Sequence, residues 1–162
     1  MLAEERYDEL ESFLTTPSAS DHEIRAYDDA LDFMAGRRDA KRRAAKLAEL
    51  FPEGAADPKF GSLLKVPLFP YQAEGALFAV EAGRALIGDD MGLGKTVQAI
   101  AAMEILARHF GVTRVLVICP TSLKYQWQSE ILRFSGRQAE SKARVIDGGR
   151  VQRQNDYRLD DF

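Results

Sequence analysis

Apolar residues near the amino terminus recur every three or four positions, a spacing that is typical of one face of an α-helix. This periodicity predicts one helix over residues 2–14, a second that follows a capping box at Ser20, and a third that begins near Arg37. Pro, Gly and Ala then dominate residues 52–62, and this composition indicates a linker. We therefore expect residues 1–51 to form a small helical accessory region.

The rest of the chain shows a different pattern, in which short apolar runs alternate with helical stretches. The run at residues 115–119 has no polar alternation, which suits a parallel strand that is covered on both faces. It follows a helical pattern at residues 97–110, and a shorter apolar run at residues 85–87 precedes that helix. A strand, a helix and a parallel strand in this order predict a right-handed crossover. The predicted fold class of residues 63–162 is therefore α/β with a parallel sheet.

Other elements are predicted around this unit. We expect a short strand within residues 60–66 and a helix over residues 71–80, which is entered just after a proline. Thr121 is placed to cap a helix that runs to about residue 134, and a further strand is expected at residues 145–146. The chain shows no internal repeat and no low-complexity tract.

The loop at residues 87–96, between a predicted strand and a predicted helix, carries the chemistry. Gly92 and Gly94 lack a Cβ, so the backbone can turn tightly and bring its N–H groups close to a phosphate. The start of the following helix adds a positive site for an anion. Lys95 offers a mobile charge to the β- and γ-phosphates, and the Thr96 hydroxyl can bind Mg²⁺. We therefore predict a phosphate-binding loop with Lys95 and Thr96 as its catalytic side chains.

This loop departs from the usual G-x-x-x-x-G-K-[ST] pattern at one position. The pattern requires Gly at position 89, where the chain has Asp89, and Gly88 stands one step early. The alternative interpretation is a glycine-rich turn with a chance Lys-Thr pair. The strand–loop–helix frame favours the phosphate-binding loop.

Composition limits the class of protein. The chain has 162 residues, of which 46% are hydrophobic and 29% charged, so it can bury a core and is unlike a disordered chain. Its apolar runs are too short to cross a bilayer, and its acidic amino terminus lacks the apolar region of a secretory signal. The single cysteine, Cys119, excludes an internal disulfide framework and a zinc site of several cysteines.

The net charge of −3 argues weakly against a nucleic-acid partner, but the charge is unevenly distributed. Residues 1–35 carry a net charge of −8, residues 36–50 carry +4 and the remainder carries +1. The six basic residues between Arg37 and Lys46 are able to contact nucleic-acid phosphates. A solvated helix face is the alternative, and we favour it because no aromatic residues interleave these charges.

Three motifs in a fixed order resemble those of a known family. Residues 67–75, 89–96 and 119–130 together resemble motifs of the Swi/Snf-type DNA-dependent ATPases of helicase superfamily two. That family consists of double-stranded-DNA translocases with two RecA-like lobes, and the match covers about residues 63–162. The resemblance implies that residues 63–162 form a truncated first RecA-like lobe, which is a P-loop NTPase fold. It also implies ATP and Mg²⁺ as cofactors, and double-stranded DNA as the partner of the full-length enzyme.

The first motif, Pro70-Tyr71-Gln72-x-x-Gly75, resembles the adenine-recognition motif of the family. A glutamine amide can donate and accept a hydrogen bond at once, which matches the N6/N7 edge of adenine. The resemblance therefore implies that Gln72 binds the adenine base.

The second motif resembles the family's version of the phosphate loop, which also lacks the first Gly. The family more often has Glu where Asp90 stands, and the change keeps the charge while it shortens the side chain. The resemblance implies that the nucleotide is bound by the residues of this loop: Asp89, Asp90, Met91, Gly92, Leu93, Gly94, Lys95 and Thr96.

The third motif begins at Cys119 and includes Trp127, and it resembles motif Ia, which contacts the DNA backbone in the family. A strand that ends at a helix start offers N–H groups and hydroxyls to a phosphate. The resemblance implies that Thr121 and Ser122 contact DNA. The alternative is a Thr-Ser helix cap, with Trp127 packed in the core, and for Trp127 itself we favour this alternative.

Hydrolysis in the family requires a second acidic motif, an Asp-Glu pair after four apolar residues, which holds Mg²⁺ and positions the attacking water. No such motif follows residue 96, because the late acidic pair at Asp160 and Asp161 comes after a polar stretch. We therefore expect an amino-terminal piece of a longer ATP-dependent DNA translocase, which binds ATP weakly and does not turn it over alone.

Two other functions stay open at this stage. A P-loop kinase or GTPase would share the loop, but it gives no reason for the motifs at Gln72 and Thr121. A non-catalytic, nucleotide-gated interaction module would dock a protein partner on residues 1–51. No membrane partner is expected, and the location would be cytoplasmic and nucleoid-associated in a bacterium or nuclear in a eukaryote.

Overall fold

The computed structural model describes residues 27–136 and 143–157. Within these ranges the chain forms five α-helices, joined by 3₁₀-helices and irregular segments. The helices are α1 (Asp28–Leu50), α2 (Pro70–Ala82), α3 (Lys95–His109), α4 (Lys124–Phe134) and α5 (Arg150–Asp156). The 3₁₀-helices are Gly54–Ala56, Pro58–Ser62 and Thr121–Leu123. The predicted helix over residues 2–14 and the capping box at Ser20 lie outside the described residues.

Helix α1 continues through the position where the sequence suggested a break. A second and a third helix were expected to meet at Gly36, but the structure has one helix of 23 residues there. A single Gly in a helix interior costs only about 1 kcal/mol, and the many Ala, Leu, Lys and Arg residues around it outweigh that cost. Asp28 and Asp29 lie in the first turn, where negative charge interacts favourably with the helix dipole.

The described residues divide into two compact units, one up to Arg42 and one from Arg43 onward. In the first unit, Met34 of α1 is buried. The second unit contains the hydrophobic core and all the motifs described above. The division into an accessory region, a linker and a lobe at residues 1–51, 52–62 and 63–162 stays a prediction.

The core of the second unit lies between α2 and α3. Ala73 and Ala76 of α2 and Ala101 of α3 are at most 1% exposed, so the two helices can approach closely. Larger apolar side chains fill the space around this small-residue contact: Leu47, Phe51, Phe60, Leu63, Leu64, Val80, Ile100 and Ile105. The rings of Phe51 and Phe60 stack with their centroids 4.8 Å apart. The α2–α3 contact therefore fixes the position of the loop that joins these helices.

The strand expected within residues 60–66 is wrong, because a 3₁₀-helix occupies residues 58–62. The carboxylate of Asp57 accepts a hydrogen bond from the Lys59 N–H at 3.0 Å, and Pro58 stands at the first helical position. Both are start signals of a helix, and they outweigh the β-propensity of the following apolar residues. The Lys59 ammonium also donates to the carbonyl oxygen of Leu50 at the end of α1.

The α/β fold class with a RecA-like parallel sheet is also contradicted, because no strand occurs in residues 27–136 or 143–157. The runs predicted as strands, at residues 85–87, 115–119 and 145–146, form neither helix nor sheet. Leu86 is 87% exposed and Ile118 is 89% exposed. An apolar run favours a strand locally, but a strand requires a neighbouring backbone for its hydrogen bonds. No described segment supplies that backbone here, so the observed architecture is helical.

Candidate nucleotide-binding site

The predicted phosphate loop lies directly before α3 and depends on two glycines. Gly92 has a φ of 88° and Gly94 a φ of 79°, a region that side chains with a Cβ rarely adopt. Gly94 is the N-cap of α3, and its carbonyl oxygen accepts from the Gln98 N–H at 3.1 Å. The loop therefore leads into a helix amino terminus, where unpaired N–H groups favour an anion.

The side chain of Lys95 turns back onto the loop that precedes it. Its Nζ donates to the carbonyl oxygens of Asp89 and Asp90, at 2.7 Å and 2.9 Å. Lys95 is half-buried, whereas Met91 at the tip of the loop is 96% exposed. The structure thus brings the ammonium group and the glycine-containing turn together, with the charge bonded to backbone carbonyls.

Gln72 of α2 lies against the same loop, although it precedes Lys95 by more than twenty residues in the sequence. Its Nε2 donates to the carbonyl oxygen of Leu93 at 3.1 Å, and its Oε1 accepts from the Phe69 N–H at 3.1 Å. Gln72 is only 7% exposed, and both ends of its amide are bonded. The adenine-recognition motif and the phosphate loop are therefore neighbours in the fold.

Tyr71 also reaches this loop, and the sequence pattern gave it no role of its own. Its hydroxyl donates to the carbonyl oxygen of Leu93 at 3.2 Å. Its ring stacks on that of Phe69, with centroids 5.8 Å apart and an interplanar angle of 5°. Its place within the first motif, next to Gln72, was the only signal that could have identified Tyr71.

Gln98 of α3 is a second site residue that the sequence analysis missed. It is 1% exposed, and its Nε2 donates to Asp89 Oδ2 at 2.5 Å. The signal was present, because a polar residue on an apolar face of a helix must find a partner when it is buried. The apolar periodicity of residues 97–110 predicts the helix but does not show which residue pairs with Gln98.

Thr96 is half-buried at the second position of α3, and Asp89 and Asp90 in the loop are exposed. Hydroxyl and carboxylate oxygens are the protein donors that suit Mg²⁺, which usually binds with phosphate oxygens and water as further ligands. The residues present therefore fit a nucleotide-bound Mg²⁺. Among the described residues no group of three or more His, Cys, Asp or Glu side chains could hold a metal ion by itself.

The predicted DNA-contacting residues lie at a different place from the loop. Thr121 and Ser122 are exposed and begin the 3₁₀-helix that leads into α4. Thr121 lines a cleft of about 540 Å³, whose other walls include the apolar run at residues 115–119 and the half-buried Trp127. In this structure Trp127 thus faces a cleft rather than the α2–α3 core.

A charged cluster lies at the edge of this cleft. Lys124 Nζ is 2.6 Å from Asp147 Oδ2, and the Tyr125 hydroxyl donates to the same oxygen at 3.1 Å. The hydrogen bond from Lys124, followed by those from the Gly148 N–H and Tyr125, lowers the pKa of Asp147 from 3.8 to about 2. The cluster ties the start of α4 to the segment at residues 143–149.

None of the helices in the described part of the chain is both long enough and apolar enough to span a membrane.

Comparison with known proteins identifies a family whose model matches most of the chain. The family model described as the SNF2-related domain matches residues 28–159. No solved structure matches the chain.

Several curated proteins are similar to this chain. It is 45% identical over 69 residues to a Caenorhabditis elegans protein named SWI/SNF-related matrix-associated actin-dependent regulator of chromatin subfamily A-like protein 1 homolog, a match of 41% of this chain and 9% of that protein. It is 34% identical over 84 residues to the human DNA annealing helicase and endonuclease ZRANB3, covering 51% and 8%. It is 38% identical over 89 residues to the chromatin-remodeling ATPase INO80 of Sclerotinia sclerotiorum, covering 52% and 5%. The matched part is thus less than a tenth of each relative.

Proposed function

The chain belongs to the SNF2-related domain family, and from that premise we propose that it is the ATP-binding part of a DNA-dependent ATPase that translocates along double-stranded DNA. The observation that carries this proposal is the position of Lys95. Its ammonium lies at the amino terminus of α3, beneath a turn made possible by Gly92 and Gly94. A mobile cation, a glycine turn and a helix amino terminus form the arrangement that binds the phosphates of a nucleotide.

In the proposed complex, Lys95 exchanges its two carbonyl partners for oxygens of the β- and γ-phosphates. Bonds from an ammonium to charged oxygens are stronger than bonds to neutral carbonyls, which favours the exchange. Thr96 would supply a hydroxyl ligand to Mg²⁺, and such an ion would provide charge neutralisation for the phosphoryl group. The amide N–H groups of the loop and of the first turn of α3 complete the phosphate site.

The base would be bound by Gln72, which has one donor and one acceptor on its amide and can pair with the N6/N7 edge of adenine. In the free chain both groups are occupied by Leu93 and Phe69. Binding of adenine would therefore require Gln72 to exchange these partners for the base, and the Leu93 carbonyl of the loop would lose the Gln72 amide as a donor. A kinase-like or GTPase-like P-loop protein has no need of such a residue, and this difference separates the hypotheses.

The DNA partner is proposed to contact the backbone N–H groups and hydroxyls at Thr121 and Ser122, which are exposed at the start of a 3₁₀-helix. The names of the relatives refer to chromatin and to DNA annealing, and the organisms are eukaryotes, which supports a DNA partner and a nuclear location. Because no Asp-Glu motif follows the loop in this sequence, we expect these 162 residues to bind ATP without turnover.

Calorimetry tests this proposal with the purified chain. Titration with MgATP should give saturable heat, and titration with MgGTP should give weaker binding because guanine presents a different edge to Gln72. The absence of heat with both nucleotides would refute the proposal. Phosphate release in the presence of double-stranded DNA should stay at background, and DNA-stimulated release would contradict the expected lack of turnover.

A further inference from the structure

Two glutamine–glycine contacts join α2 and α3 in a reciprocal way. A Cβ placed on Gly94, the N-cap of α3, would lie 2.5 Å from Nε2 of Gln72 on α2. A Cβ placed on Gly75 of α2 would lie 1.9 Å from Oε1 of Gln98 on α3. Each helix therefore carries a glutamine that occupies the space left by a glycine of the other helix.

The backbone conformation does not require a glycine at position 75, because Gly75 lies inside a helix and its φ is not positive. Gly in a helix interior is less favourable than Ala by roughly 0.5–1 kcal/mol. What Gly75 provides is room for the Gln98 amide, which would otherwise collide with the side chain at this position. The glycine at position 75 of α2 is therefore explained by the space that the Gln98 side chain of α3 occupies.

In that position Gln98 binds Asp89, which lies near the start of the loop. The side chain is 1% exposed, and burial of an amide is costly unless it is hydrogen-bonded. Its Nε2 donates to Asp89 Oδ2 at 2.5 Å, and Asp89 occupies the place where the usual phosphate-loop pattern has Gly. A glycine there would offer no side chain for Gln98 to bind, so the departure from the pattern has a physical reason.

The loop is consequently held at both ends by glutamines. Gln98 binds the Asp89 side chain at the start, and Gln72 binds the Leu93 carbonyl near the end. Lys95 bonds to the carbonyls of Asp89 and Asp90 between them. The Lys95 bonds must break when the ammonium turns to a phosphate, whereas the bond between Gln98 and Asp89 involves only side chains and can persist.

We propose that Gln98 is a positioning residue for nucleotide binding, which is seated by Gly75 and acts through Asp89. Its task is to keep the start of the loop in place while Lys95 changes partners, so that the backbone N–H groups stay directed at the phosphates. The inference rests on the proposed function, because it assigns a role within the same nucleotide site. The new element is that Gln98 would influence nucleotide binding without contacting the nucleotide itself.

Calorimetry with MgADP and MgATP tests the role through a set of variants. Gln98→Leu keeps the volume and removes the amide, and Asp89→Gly removes the carboxylate while it restores the usual pattern. Each should weaken binding by roughly tenfold, the value of one hydrogen bond to a charged group. Because both remove the same bond, the double variant should be no weaker than either single one. Additive losses would overturn the proposal.

Asp89→Asn is the conservative variant, because its Oδ1 can still accept from Gln98. It should lose no more than about threefold in affinity, since only the charge assistance is removed. If Asp89→Asn binds as poorly as Asp89→Gly, the negative charge rather than the bond to Gln98 is what the site requires, and the proposal fails.

Variants at Gly75 distinguish a positioning role of Gln98 from a general effect on folding. In Gly75→Ala the added Cβ should displace Gln98 and lower both the melting temperature and the nucleotide affinity. Combining it with Gln98→Ala removes the collision, so the melting temperature should recover while the affinity stays low. The matched control is Gly36→Ala in α1, where a Cβ meets nothing within 4 Å. That control should leave affinity unchanged, and recovery of affinity in the Gly75→Ala/Gln98→Ala variant would refute the positioning role.

Hydrogen exchange in the absence of nucleotide keeps this test independent of the proposed function. Amides of residues 89–94 should exchange several-fold faster in Gln98→Leu than in the unaltered chain, while those of residues 100–109 stay unchanged. Unchanged exchange in the loop would overturn the inference whatever the nucleotide result. If the loop responds as expected but the unaltered chain binds no nucleotide, then the proposed function fails and only the structural link between Gln98 and the loop stands.

Discussion

The Nζ of Lys95 lies 2.7 Å from the carbonyl oxygen of Asp89, so the charge at the start of α3 is bonded to the backbone of the loop that precedes this helix. A second bond, to the carbonyl of Asp90, has a length of 2.9 Å. The Asp90 carbonyl also accepts from the Leu93 N–H at 3.4 Å. A phosphate bound at this loop would therefore compete with the two carbonyls for the same ammonium.

Lys95→Met should have two separate effects. It keeps most of the aliphatic stem but removes the ammonium, so MgATP affinity in calorimetry should fall by roughly 10- to 100-fold, as expected for loss of one or two charged hydrogen bonds. In the free chain, the amides of residues 89–94 should exchange faster, because the carbonyls of Asp89 and Asp90 both lose the ammonium donor and the Asp90 carbonyl keeps the Leu93 N–H at 3.4 Å.

The control for this prediction is Lys46→Met in α1, whose ammonium lies 4.9 Å from the centre of the Phe110 ring and away from the loop. It should leave both nucleotide affinity and loop exchange unchanged. Equal affinity of Lys95→Met and the unaltered chain would show that the phosphates are not bound at this loop.

Gln72→Ala should affect the choice of base more than the strength of phosphate binding. The MgATP and MgGTP affinities of the variant should converge, because the amide that distinguishes the two purines is gone. The variant should also lose about 1 kcal/mol of stability, since the Phe69 N–H and the Leu93 carbonyl lose a partner.

Tyr71→Phe is the matched control for this second prediction. It removes the hydroxyl that donates to Leu93 and keeps the ring that stacks on Phe69. The variant should retain the preference for ATP over GTP. If Tyr71→Phe also abolishes the preference, then selectivity depends on the position of the Leu93 carbonyl rather than on the Gln72 amide.

Part of the site could be predicted from the sequence because it depends on local rules. The turn at Gly92 and Gly94 requires positive φ, and the following apolar periodicity defines α3, so both follow from neighbouring residues alone. The family resemblance was confirmed by the match of the SNF2-related domain to residues 28–159. The contact of Gln72 with the loop depends instead on how α2 packs on α3, and only the resemblance brought the two motifs together.

The predictions of strands were wrong, because a strand forms only where a second segment pairs with it. The apolar run at residues 115–119 has the composition of a buried strand, but composition does not supply the second backbone that a sheet needs. Gln98 was missed for a related reason, because its role depends on Gly75 in another helix and on Asp89 in the loop. Sequence spacing within one helix cannot reveal such a contact.

Glu104→Gln should destabilise the second unit by about 1–3 kcal/mol, measured by urea denaturation. Glu104 is 7% exposed, and its two oxygens accept from the Gly136 N–H and from Arg108 Nε, each at 3.0 Å. A Gln side chain has one acceptor oxygen, so one of these donors would face an NH₂ group. Arg108 also donates to the carbonyls of Ser62 and Leu63, and the same change should loosen that contact.

The comparison for this third prediction is Glu130→Gln in α4. Glu130 accepts from Gln126 in a solvent-exposed hydrogen bond of 2.9 Å, where water can replace a lost partner. Its free energy of unfolding should change by no more than about 0.5 kcal/mol. A loss in Glu104→Gln as small as this would mean that Glu104 does not connect α3 to the end of α4 in solution.

Acid should open the cluster at Asp147 over a defined range of pH. The pKa of this carboxyl is lowered from 3.8 to about 2 by Lys124, the Gly148 N–H and Tyr125, so its stabilising contribution is complete above about pH 4 and is lost as the pH falls through 2. The chain has one tryptophan, Trp127, which lines the same cleft and reports this opening by fluorescence. In Asp147→Asn the carboxyl no longer titrates, so the fluorescence change between pH 4 and pH 2 should shrink. Lys124→Met should instead move the change to higher pH, because the largest cause of the lowered pKa is removed. Identical acid titrations of all three chains would show that this cluster does not hold α4 to residues 143–149.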